Sequence, residues 1–88
     1  MYNKSFIIPP GETIEELMHN RHITSKNVMT KLNMNRAEFK NLINGKIEIK
    51  DDIAEKLSEI FAIPKTFWIN LERNYRGELY EQQKVSQT

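Results

Sequence analysis

The sequence predicts a single all-α domain built from five short helices. In five separate stretches, apolar side chains recur at the three- and four-residue spacing that lines one face of a helix. Residues suited to starting or ending helices lie between those stretches. Size bounds the answer further. With 88 residues there is room for one domain, and with no cysteine there is no disulfide or thiolate-held zinc to reinforce it. A domain of this length buries only roughly 60–65% of the surface its unfolded chain exposes, so helix packing must supply the stability.

The first helix carries Ile14, Leu17 and Met18 at i, i+3 and i+4. Thr13-x-x-Glu16 has the form of a capping box, whereas Pro10 and Gly11 allow an earlier start, and the helix is expected to end near Asn20. The second opens at Thr24 or Ser25 and sets Val28 and Leu32 on one face. Asn33, a residue that tolerates left-handed backbone, closes it. Asn35 is suited to cap the third helix, which carries Phe39, Leu42 and Ile43 inward and stops at Asn44-Gly45. The fourth runs from about Lys50 or Asp51 to Phe61. It has Ile53, Ala54, Leu57, Ile60 and Phe61 on one stripe, and two aspartates near its positive dipole end. Pro64 marks the start of the fifth, along which Phe67, Trp68, Leu71, Tyr75 and Leu79 recur.

This divides the chain into an N-terminal arm at 1–10, a helical domain at 11–80 and a polar tail at 81–88 that is expected to fray. Phe6-Ile7-Ile8 in the arm is either a strip that covers the core or a short strand used in an interface. No apolar run approaches the ~20 residues needed to cross a bilayer, and the first ten residues lack the long apolar region of a secretory signal. The expected location is the cytoplasm.

The formal net charge of +1 conceals an uneven distribution. Residues 1–20 carry one lysine and three glutamates. Residues 21–50 hold Arg21, Lys26, Lys31, Arg36, Lys40, Lys46 and Lys50 against only Glu38 and Glu48, and residues 51–88 return to a small acidic excess. A cationic middle third suits a polyanion, since each phosphate neutralised releases condensed counterions. The same stretch contains the tight helix pair at 24–44, the geometry that lays a second helix across a DNA major groove while the first packs over it.

Outward positions of that second helix offer a base-reading vocabulary. Arginine and lysine match guanine O6 and N7, asparagine can pair twice with adenine, and alanine can touch a thymine methyl group. The candidates for base edges are Asn35, Arg36, Ala37, Lys40 and Asn41, and those for phosphates are Ser25, Lys26, Asn44 and Lys46. Glu38 can accept from cytosine N4 or serve as a salt-bridge partner. Backbone amides at the start of the second helix are a further anchor for phosphate.

The chain resembles the HigA-type antitoxin branch of the Xre/Cro-like helix-turn-helix family. The likeness is carried by Ile8-Pro9-Pro10-Gly11-Glu12-Thr13-Ile14, by Asn44-Gly45-Lys46, by Ile49 with Ala54 and Leu57, and by Phe67-Trp68-Ile69-Asn70-Leu71 with Asn74-Tyr75. The resemblance implies a five-helix, lambda-repressor-like DNA-binding domain. It further implies a homodimer on a palindromic operator in double-stranded DNA, repression of its own operon, and neutralisation of a ribonuclease toxin in a HigBA-type module. It makes Phe67, Trp68, Leu71 and Tyr75 residues of the core or the dimer interface. Four positions depart from the family pattern: Met29 stands for a small alanine, Asn33 for the turn glycine, Ser25 for a glutamine at the start of the second helix, and Ala62 for a glycine after the fourth.

Two other roles fit the same residues. One is a phage or operon regulator without a toxin, or the DNA-binding head of a longer protein; the other is a protein-interaction module that has lost DNA binding. Catalysis is not expected, because no serine has a nucleophile setting and there is no glycine-rich phosphate loop. No cofactor is expected either. His19 and His22 lack the further ligands that a metal site requires.

Overall fold

The computed structural model describes residues 8–86. They form α1 (Pro10–Arg21), α2 (Ser25–Leu32), α3 (Arg36–Ile43), α4 (Asp51–Phe61) and α5 (Lys65–Ser86), with no strand among the described residues. Phe6 and Ile7 of the arm lie outside them, while Ile8 is exposed. Among the described residues no helix is long and apolar enough to cross a membrane.

α1 begins at Pro10, so Thr13 and Glu16 lie inside the helix and do not form the capping box that their spacing allows. The reason is local. Pro10 at the first helical position has no N–H to leave unsatisfied and its φ is already helical, while Pro9 takes the extended N-cap conformation and its carbonyl accepts the Glu12 amide at 3.0 Å. Three helices then end alike, on a left-handed residue followed by a partly buried apolar one: His22 (φ 56°) before Ile23, Asn33 (φ 58°) before Met34, and Ala62 (φ 56°) before Ile63. The amides of Ile23 and Met34 reach back to the carbonyls of Met18 and Met29, both at 2.9 Å, closing the helix ends.

α2 and α3 are short but capped. Thr24 Oγ1 accepts the Asn27 amide at 3.1 Å. Asn35 and Glu38 form a reciprocal capping box, Asn35 Oδ1 taking the Glu38 amide at 2.8 Å and Glu38 Oε1 the Asn35 amide at 2.9 Å. Only residues 33–35 separate the two helices. α3 closes through the Lys46 amide on the Asn41 carbonyl at 2.8 Å, with Gly45 in left-handed backbone (φ 78°).

The core gathers one or more side chains from every helix: Ile14 from α1, Val28 and Leu32 from α2, Phe39 and Leu42 from α3, Ala54, Leu57 and Phe61 from α4, and Trp68 from α5. Ile49 joins them from the segment between α3 and α4. The Phe61 and Trp68 rings lie 5.8 Å apart, and Phe67 meets Trp68 edge-on at 5.2 Å. α1 crosses α3 so closely that a Cβ on Gly11 would fall 2.0 Å from the Ile43 carbonyl oxygen, which only glycine avoids.

Two polar contacts fasten the C-terminal half. Glu72, buried on α5, accepts the Ile49 amide at 3.1 Å and pairs with Arg76 one turn later. Lys65, at the start of α5, donates to Asp51 at 2.8 Å, and that hydrogen bond holds its ammonium above the ordinary lysine value of 10.5. α5 runs on to Ser86, so the helix takes in most of the polar tail that begins at 81. Residues 81–84 are glutamate, glutamine and lysine, unbranched side chains that are good helix formers.

Candidate nucleic-acid interface

The two inward residues of α3, Phe39 and Leu42, fix which way the rest of the helix faces, because both are buried against the core. At 100° per residue, Arg36, Ala37, Lys40, Asn41 and Asn44 then fall within an arc of about 140° on the opposite side. All five are exposed. Four of the five expected base-edge residues therefore share one outward surface, and none of them is covered by the described residues.

The fifth, Asn35, is placed differently. It is exposed, but its side-chain oxygen is engaged by the Glu38 amide. Bidentate pairing with adenine needs both the oxygen and the amino group of the side chain. The cap takes one of the two lone pairs of Asn35 Oδ1 and fixes the direction of the side chain, so in the fold Asn35 starts α3. Glu38 is likewise committed to the Asn35 backbone, and it makes no salt bridge among the described residues.

Expected phosphate residues frame this arc. Ser25 and Lys26 stand exposed at the start of α2, whose first two amides have no partner within the helix and carry the positive end of its dipole. A shallow depression between the helices brings Ser25 together with Arg36, Lys40 and Asn44, and Met29 also lines it. A neighbouring one is lined by Lys26, Asn35 and Arg36, again with Met29. Met29 is partly buried here and packs against the core, as its unbranched, adaptable thioether allows. Lys46 is exposed just past the end of α3, set there by its backbone bond to Asn41.

The α5 residues divide. Trp68 and Tyr75 are buried, Leu71 is partly buried, and Phe67 is 40% exposed. Trp68 and Tyr75 thus belong to the core of the single chain, and Phe67 presents part of its ring outward. His19 and His22 are both exposed at the end of α1, and no group of three metal-binding side chains gathers among the described residues.

The sequence reading missed Glu15. This glutamate of α1 lines the same depression as Ser25, Arg36 and Lys40. Its only signal in the sequence is its place four residues after Gly11, and that becomes informative once α1 is known to cross α3 at Gly11. No family model, curated protein or solved structure matches the chain.

Proposed function

We propose that the chain is a sequence-specific DNA-binding transcriptional repressor of the Xre/lambda-repressor-like helix-turn-helix class, with α3 as its recognition helix. It acts as a homodimer on a palindromic operator. By resemblance it is the antitoxin of a HigBA-type module, which represses its own operon and neutralises a ribonuclease toxin. The observation that carries the DNA-binding reading is the uncovered arc of Arg36, Ala37, Lys40 and Asn41, flanked by Ser25 and Lys26 at an exposed helix start. Arginine, lysine and asparagine there match purine edges, while the α2 amides and Lys26 suit a phosphate. A dimer sets its two recognition helices about 34 Å apart, one helical turn of duplex.

A protection assay on the DNA upstream of the gene tests this reading, with two protected half-sites one turn apart as the expected result. Salt titration with variants separates the roles. Lys26→Ala weakens binding to all sequences alike and flattens the salt slope by about one unit, whereas Lys40→Ala or Asn41→Ala costs about 1–3 kcal/mol and relaxes preference at one base pair. Equal losses on preferred and random duplexes for all three variants would remove base reading. Co-purification with the product of an adjacent short gene tests the antitoxin role.

A further inference from the structure

We infer that Glu15 determines specificity on the DNA-facing surface by steering Lys40 toward base edges and away from phosphates, an inference that rests on the DNA-binding reading above. Gly11 brings α1 against the end of α3, and Glu15 stands one turn further along the same face of α1. There it is the only acid around a depression shared with Ser25, Arg36, Lys40 and Asn44. The other acid of this region, Glu38, is held in the α3 cap. Glu15 and Lys40 are both exposed, and among the described residues neither side chain makes an ion pair or hydrogen bond. The carboxylate is therefore free to act on whatever the lysine approaches.

A lysine ammonium is a point charge on a flexible four-carbon stem, and it pairs with any anion within reach. Duplex DNA offers phosphates at every step but guanine O6 and N7 only at particular ones. A carboxylate beside Lys40 repels a phosphate that comes close and has little effect on the neutral acceptors of a base edge. Phosphate contact by Lys40 is disfavoured on every sequence, whereas its base contact is tolerated. Glu15 is thus a positioning residue that lowers affinity for random DNA more than for the preferred site.

The test uses a duplex that the wild-type protein selects from a random pool, together with a scrambled duplex of equal length. Affinities are measured across a salt series for wild type, Glu15→Gln, Glu15→Asp, Lys40→Gln and the double variant Glu15→Gln/Lys40→Gln. Glu15→Gln is expected to tighten binding to the scrambled duplex about fivefold and to the selected duplex by less than about twofold, with a salt slope on scrambled DNA steeper by about one unit. Glu15→Asp keeps the charge and stays near wild type. In the Lys40→Gln background the effect of Glu15→Gln disappears. Equal tightening on both duplexes, or a change in their ratio that persists without Lys40, overturns the inference and leaves the DNA-binding reading standing. If the wild-type protein selects no duplex, that reading fails and the inference falls with it.

Discussion

Ala62 holds a backbone conformation that glycine occupies without penalty. At φ 56° and ψ 40° its Cβ crowds the following carbonyl, at a cost of roughly 1–2 kcal/mol. Ala62→Gly relieves the strain but gives the unfolded chain more freedom, for an expected net gain of about 0.5–1 kcal/mol, visible as a melting midpoint several degrees higher. A lower midpoint would show that the Ala62 methyl group makes contacts outweighing its strain. Asn35 permits a second test at this scale. Asn35→Ala removes the α3 cap and is expected to cost about 1 kcal/mol in denaturant unfolding. Asn35→Asp keeps the cap, leaving stability within about 0.5 kcal/mol of wild type, yet places a negative charge beside Arg36 and weakens DNA binding. The cap was legible in the sequence because it is made by residues three apart. What could not be read there is how far the same bond fixes the direction of Asn35 Oδ1, which constrains its approach to a base edge.

The five helices were largely legible, and their errors have a local cause. α2, α3 and α4 start and stop where cap residues and apolar spacing indicate, since those signals involve neighbours in the chain. At α1 two start signals competed, and Pro10 prevailed over Thr13 because a proline at the first helical position has no amide to satisfy. The outward arc of α3 was legible for the same reason as its core face, one helical period fixing both. Glu15 and Glu72 were not, because each gains its meaning from an element distant in sequence. Glu72 ties the segment before α4 to α5 through the Ile49 amide and Arg76. Glu72→Ala leaves that amide without its acceptor and the guanidinium without its counter-charge, and is expected to cost about 2–4 kcal/mol in chemical denaturation. Glu72→Gln retains an acceptor oxygen and should cost clearly less. The Lys65 pair with Asp51 is exposed and contributes differently. Because the lysine value is raised, its contribution is present at neutral pH, is lost as pH climbs through that raised value, and fades in salt.

At the scale of the whole molecule, the cationic arc on α3 is supported by a core to which every helix contributes, so this exposed surface is held by rigid elements. The long α5 is built unevenly. Its first half supplies Trp68, Glu72 and Tyr75 to the interior, while from Arg76 to Gln82 no side chain is buried. A helix whose buried side chains, among the described residues, all lie in its first half should lose its amide protons in sequence. In deuterium oxide, the amides of residues 79–82 are expected to exchange early through local opening, and those of residues 69–75 only with global unfolding. Uniform protection along α5 would mean that its outer turns are sheltered by something beyond this chain, and a second copy could then be sought by repeating the labelling at several protein concentrations.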